Sequence, residues 1–246
     1  MDGYYYNKIA EDYNLKRKKP WRPLENYLNF LKNEGHGFNG LNLDLGCANG
    51  RNFKIFKNDL NKLIGIDNSL EFLKIARDDL RKFNSDNIQI ILGDIQYLPI
   101  RSKVIENIFS IASFHHIKGN QVRKNALLQI FRLMKDNGYF LLTIWRRWQK
   151  KYRKYFFYDK LNRILFPRYK KKQRELNLKE FGDKNVPWTI SSDKSGEKRI
   201  YERFYHFFSK AEVKRLLKSF KLVDVRKKGG STDKDNLFIL SQVLKH

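Results

Sequence analysis

The sequence predicts a Rossmann-like α/β fold, in which a mostly parallel seven-stranded sheet is flanked by helices on both faces. Three observations lead there. Short apolar runs alternate with helical periodicity from Leu41 to Trp145. The first run breaks abruptly into a glycine-flanked loop, Gly46 to Gly50. Beyond a basic insertion, two late strand patterns at 221–226 and 237–243 suit an antiparallel pair that closes the sheet.

Taken in order, residues 1–40 read as a polar helical segment, interrupted at Lys16-Arg-Lys-Lys-Pro-Trp-Arg-Pro23, where the prolines force non-helical backbone before a helix over 24–32. Strand 41–45, helix 52–60, strand 63–67 and helix 70–83 follow. Strand 88–92, strand 104–112, helix 123–134 and strand 139–145 continue the alternation. Residues 146–198 read as an insertion whose first part is dense in Lys and Arg and interleaved with aromatics. Strand pattern returns at 199–208, with a helix at 210–219 before the closing pair. At 246 residues and 41% apolar content the chain can bury one core, so residues 1–246 form a single expected domain.

Composition narrows the partners. Lys and Arg number 51 against 26 Asp and Glu, a net charge of +25 that attracts polyanions through counterion release, nucleic acid foremost. Cys47 is the only cysteine, which excludes an internal disulfide and a thiolate zinc site and suits a reducing compartment. With no leader-like start and no apolar run of spanning length, the sequence reads as cytoplasmic, with no membrane partner.

The loop sets the chemistry. Glycines 46 and 50 let the backbone turn tightly against a ligand, with Asp44 just before the turn. A dinucleotide fingerprint would place its second glycine at Ala48, so the match to Gly-x-Gly-x-x-Gly is poor. Asp44-Leu-Gly-Cys-Ala-Asn-Gly50 instead resembles the first motif of class I S-adenosylmethionine (SAM) methyltransferases, which implies SAM as cofactor. Asp67 ends the second strand 21 positions beyond Gly46, the distance at which a carboxylate accepts from both ribose hydroxyls. Asp94 ends the third strand, where it can accept from an adenine amino group while Ile95 packs on the ring. Either aspartate alone could equally cap the following helix. The expected cofactor set is Asp44, Gly46, Cys47, Ala48, Gly50, Asp67, Asn68, Asp94, Ile95 and Ala112.

Absent groups narrow the acceptor. Cys47 lies in the cofactor loop and cannot act as the nucleophile of pyrimidine C5 methylation. No Asn/Asp-Pro-Pro-Tyr motif follows the fourth strand, where the chain reads Ala112-Ser-Phe-His-His-Ile117, so exocyclic amines are disfavoured. A carboxylate, with a pKa of about 4, needs no general base. A hydroxyl would need one, from His115 or His116, with His116 favoured. No metal is expected, because adjacent strand histidines point to opposite faces and no third ligand is evident. Trp145, Trp148, Tyr152 and Tyr155 recur at helical spacing beside Arg146, Arg147 and Lys150, as expected of one face packed on the sheet and a basic face toward phosphate.

Three further segments bear on the substrate: Arg17-Lys-Lys-Pro-Trp21, Gly182-Asp-Lys-Asn-Val-Pro-Trp188 and Glu202-Arg-Phe-Tyr-His-Phe-Phe208. With the His115-His116 pair they resemble, in this order, the methyltransferases that esterify 5-carboxymethyluridine at the tRNA wobble position. Two features depart from that family: Ala48 in place of a loop glycine, and a terminal Asp235-Asn-Leu-Phe-Ile239 without tryptophans. The resemblance implies that Arg17 and Lys19 contact tRNA or the modified base, and that His116 and Trp145 line the uridine pocket. Asp183, Arg203, Tyr205 and His206 complete it, with Arg146, Arg147 and Lys150 toward tRNA. It also implies a small zinc-binding activator protein at the apolar edge strand Ile88–Leu92. The competing readings are a methyltransferase for a small acid or quinone-like ring, and a non-catalytic RNA-binding subunit of the same fold.

Overall fold

The structure is a computed structural model that describes residues 3–56, 62–82, 85–190 and 198–244. Its main sheet has seven strands in the order β3-β2-β1-β4-β5-β9-β8. These are β1 (Leu41–Leu45), β2 (Lys62–Asp67), β3 (Ile88–Leu92), β4 (Ile105–Ile111), β5 (Met134–Trp145), β8 (Lys221–Lys228) and β9 (Asn236–Gln242). The first five run parallel; β9 pairs antiparallel with both β5 and β8. Reversal of the order beside β1 opens a crevice at the strands' carboxyl ends, where ligands of such sheets bind.

Both faces of the sheet are covered. On one, α5 (Asn120–Leu133) packs Ala126, Leu127 and Ile130 with Ile108 of β4 and Leu142 of β5, joined by Val213 of α8 (Lys210–Leu216). On the other, α2 (Arg22–Asn33) presents Leu24, Tyr27, Leu28 and Leu31, the 3.6-residue stripe of an amphipathic helix, to Phe109 and Leu141. Leu73 and Ala76 of α4 (Leu70–Lys82) join that layer. Successive β4 residues Ile108 and Phe109 enter opposite layers, as the two-residue period of a strand requires.

The structure departs from the sequence reading in several places. Only Phe53–Phe56 (α3) of the helix expected over 52–60 is seen; 57–61 and Phe83, the last residue of the helix expected over 70–83, lie outside the described residues. The fifth helix starts earlier, at Asn120, and β5 starts at Met134, its register shifted across Ile105/Asn107. Residues 146–198 hold α6 (Arg153–Leu165), α7 (Pro167–Glu175) and an unforeseen strand, β6 (Asp183–Ile190). That strand pairs with β7 (Arg199–His206) as a separate antiparallel hairpin, so β7 does not join the main sheet. The aromatic run is not one helical face: Trp145 ends β5, Trp148 sits in the following turn, Tyr152 precedes α6 and only Tyr155 lies within it.

A largely buried chain of hydrogen-bonded acidic and basic side chains fastens this hairpin to the sheet. Arg147, just beyond β5, donates from Nη2 to Glu212 at 2.6 Å and from Nε to the Phe207 carbonyl at 3.0 Å. The other Glu212 oxygen meets His206 Nε2 at 2.6 Å, and His206 Nδ1 meets Asp183 at 2.7 Å. Glu212 is also the third residue of the capping box that Ser209 opens on α8. Gly182 has φ +119°, and a Cβ there would sit 2.6 Å from the Phe207 carbonyl oxygen, so this close crossing requires glycine.

Removing one member leaves its partners charged and dry. Glu212→Ala should lower stability by about 3–5 kcal/mol, whereas Lys74→Ala, which breaks an exposed pair with Glu71, should cost about 0–1 kcal/mol. Urea titrations compare the two; equal losses would show that the buried chain does not hold the fold.

Candidate active site at the carboxyl ends of the strands

A single cleft of about 1050 Å³ lies over the carboxyl ends of β1, β2 and β4 and extends under the β6–β7 hairpin. Its two ends differ in chemistry. At the first, the β1 loop runs through Gly46, Ala48 and Gly50, all at positive φ. A Cβ on Gly46 would sit 1.8 Å from Ser113 Oγ, so only glycine lets the loop lie against the β4 turn. Asp67, at the end of β2, holds the loop by accepting from the backbone N–H of Ala48 at 2.8 Å and of Ser69 at 2.9 Å.

This end is anionic and dry. Burial, with Asp67 nearby, raises the Asp44 carboxyl to about 7 despite Arg51, and its Oδ1 is buried without a partner. Burial raises Asp67 to about 6 against its backbone hydrogen bonds. Burial first, then the two aspartates, pushes the Cys47 thiol well up, so it is not a nucleophile. A pyrophosphate would meet two carboxylates here. A cationic ligand would instead satisfy the orphaned Asp44 oxygen, so these residues fit the ammonium and sulfonium of SAM, with Asp67 left to accept from ribose.

The second end is aromatic. Phe114–His116 is a 3-10 turn, not strand, so His115 and His116 are not on opposite faces; their ring centres lie 4.5 Å apart. Trp145 stacks on Tyr205 at 4.4 Å, and His115 on the same ring at 4.9 Å. His116 Nδ1 lies 2.8 Å from the Phe204 carbonyl, which can only accept, so Nδ1 carries the proton and Nε2 keeps its lone pair. Burial is the main cause that lowers His116 to about 3 and His115 well below its ordinary range, with the Arg203 charge adding to both. Burial lifts the Tyr205 hydroxyl to about 12. At neutral pH this end holds neutral rings beside the Arg203 guanidinium.

The cleft thus brings together Asp44, Gly46, Cys47, Ala48, Asp67, Asn68, Ile95 and Ala112 at one end with His116, Trp145, Arg203 and Tyr205 at the other, and Arg17 and Lys19 at its rim. Other expected residues lie elsewhere. Gly50 turns the loop beneath the cleft, against Phe53. Asp94 accepts from the Gln96 N–H at 2.8 Å and is not in the lining, although Gly93 and Ile95 are. Asp183, His206 and Arg147 belong to the buried charge chain behind the wall, Arg146 donates to the Lys234 carbonyl, and Lys150 is exposed outside the cleft. Sequence reasoning missed Tyr6, Tyr13, Arg51, Ser113, Lys151 and the lining role of Trp188. The signal for the tyrosines was their spacing with Ile9, one face of α1 (Gly3–Lys16). Glu180, His206 and Glu212 bring potential metal-ligand atoms within 4.8 Å of one another, but Arg123, Asp183 and Arg147 already engage them.

A family described as a methyltransferase domain matches residues 43–142, which run from β1 into β5. The tRNA (carboxymethyluridine(34)-5-O)-methyltransferase of Schizosaccharomyces pombe is 27% identical over 243 residues, covering 96% of this chain and 93% of that protein. The ALKBH8 enzyme of the same description from Mus musculus is 31% identical over 140 residues, 57% of this chain but only 19% of that longer protein. Among solved structures, a SAM-dependent methyltransferase from Clostridium acetobutylicum superposes with a TM-score of 0.67 at 14% identity, over 98% of this chain and 99% of the other. The N-methyltransferase NodS of Bradyrhizobium japonicum, in complex with S-adenosyl-L-homocysteine, gives 0.61 at 13% identity over 98% and 100%.

Because a cation favours ionised Asp44 and Asp67, whose carboxyls are raised to about 7 and 6, SAM affinity should rise as pH increases through that window. Calorimetric titration from pH 5 to 8 checks this; a flat profile would contradict it. By the same readout Asp67→Ala should abolish SAM binding and Arg17→Ala leave it intact.

Proposed function

We propose that this chain, whose fold is that of the class I SAM-dependent methyltransferases, esterifies the carboxylate of 5-carboxymethyluridine at position 34 of tRNA, forming 5-methoxycarbonylmethyluridine. The observation that carries this reading is the protonation state of the acceptor end. A buried imidazole lowered to about 3 is a poor general base, and a phenol raised to about 12 is no better. A hydroxyl acceptor would find only weak bases in these side chains, whereas a carboxylate has no proton to lose at neutral pH.

Bound SAM supplies an electrophilic methyl on a sulfonium sulfur. A carboxylate oxygen would take that methyl while S-adenosylhomocysteine leaves as a neutral thioether, so the chain would have no proton to move. What the chain contributes is alignment, the largest rate term available to such a displacement. Trp145, Tyr205 and the His115–His116 pair form an aromatic wall against which a pyrimidine stacks. His116 Nε2, free to accept, reads an N–H of the base. Asp183 and His206 act at one remove, by holding Tyr205 and the hairpin in place.

The rim supports a polyanionic substrate. Arg17, Lys18, Lys19, Arg51 and Lys151 surround the entrance, a basic frame for the phosphates that flank an everted wobble base. Arg146 and Lys150 extend that charge beyond the cleft. Among the described residues no helix is long and apolar enough to cross a membrane. The other partner is a small zinc-binding activator protein at β3. That strand is an edge of the sheet, with Ile91 37% and Leu92 55% exposed, and pairing there would cover apolar surface and complete an open hydrogen-bonding edge.

Incubation with SAM and tRNA bearing 5-carboxymethyluridine should yield a nucleoside heavier by one methyl that mild alkali removes; mass spectrometry without that alkali-labile gain would refute the acceptor. Leu92→Lys should weaken capture of the activator while leaving SAM affinity unchanged. Full activity and solubility of the chain alone would remove the activator from the proposal.

A further inference from the structure

Resting on the carboxylate acceptor, we propose that Arg203 distinguishes that acid from its neutral amide counterpart, and that Asp12 and Trp188 are the positioning residues that hold it. Arg203 lines the acceptor end together with His116, Trp145 and Tyr205. Its guanidinium lies 4.5 Å from the Trp188 ring centre and 5.2 Å from that of Tyr205, and its Nε is buried with no hydrogen-bond partner. Two aromatic contacts fix a guanidinium without consuming its N–H donors, so it remains able to bind an anion in the cleft it lines. An unpaired buried donor on a cation is costly until an acceptor arrives, and a carboxylate satisfies both its charge and its geometry.

Trp188 is itself held from a distant part of the chain. Its Nε1 donates to Asp12 Oδ2 at 2.7 Å, across 176 positions of sequence. Lys16 Nζ meets the same carboxylate oxygen at 2.7 Å and also donates to the Thr189 carbonyl at 2.7 Å. Tyr13 packs on the indole at 5.5 Å. One turn of α1 therefore sets where the indole sits, and the indole sets where the guanidinium sits. The product ester, having lost the charge, loses this contact, which favours its release.

The test uses two otherwise identical anticodon stem-loop RNAs, one bearing 5-carboxymethyluridine and one 5-carbamoylmethyluridine. Dissociation constants are measured by anisotropy with S-adenosylhomocysteine present, and ester formation on the acid RNA by mass spectrometry. Wild type should bind the acid RNA about 10- to 100-fold more tightly than the amide, the range of one charge-assisted hydrogen bond. Arg203→Gln should bring that ratio to about one by weakening the acid RNA far more than the amide RNA, with calorimetric SAM affinity as the control for folding. Asp12→Ala should lower the ratio, and Asp12→Asn, which still accepts from the indole N–H, should restore it. Equal weakening of both RNAs by Arg203→Gln, or by Asp12→Ala, would reduce these residues to structural ones and overturn the inference. A wild-type ratio near one with ester formed would also overturn it, whereas wild type forming no ester would refute the acceptor assignment beneath it.

Discussion

The aromatic wall stands on a chain of hydrogen-bonded side chains, Asp183 to His206 to Glu212 to Arg147, that ties the β6–β7 hairpin to the end of β5. The hairpin shares no ladder with the main sheet, so this chain orients it together with the Trp145–Phe208 backbone contact, the Asp12–Trp188 hydrogen bond and the rings that pack on Tyr205. Buried ion pairs seldom add net stability over apolar packing, because desolvation offsets their attraction. Their value is directional. Each carboxylate oxygen and each imidazole nitrogen accepts one geometry, whereas the apolar cluster of Phe156, Val186 and Phe207 beside them would tolerate several.

The cleft then opposes two electrostatic environments. Below, Asp44 and Asp67 are desolvated carboxylates that call for positive charge; above, Arg203 stands among neutral rings and calls for negative. A cationic donor and an anionic acceptor are sorted to opposite ends by charge before any shape is read. The same polarity works against the reverse arrangement, since a phosphate at the lower end or an amine at the upper one would face like charge. Burial sharpens the contrast, because a low dielectric strengthens every unscreened pair.

Much of this was readable from residue patterns. The run Leu41–Leu45, its glycine loop and the aspartate ending the next strand announce themselves through short-range rules: apolar runs become buried strands, and glycine marks where a backbone must turn against something. The hairpin did not. Pro187 and the polar residues of β6 obscure its alternation, and its partner strand reads equally well as a member of the main sheet. Asp183 and His206 were expected in the pocket through the family resemblance, yet nothing local tells a wall residue from one that braces the wall.

What the sequence determined by itself is the donor half: the succession of strands and helices up to β5, the loop and the carboxylates at the strand ends, because each follows from local periodicity and turn chemistry. What only the tertiary structure decided is the acceptor half. Asp12 reaches Trp188 across 176 positions, and Arg203, Tyr205 and the histidine pair meet only after β7 folds back over β4. The protonation of those histidines follows from their burial, a property of the packed chain that no residue type or spacing encodes.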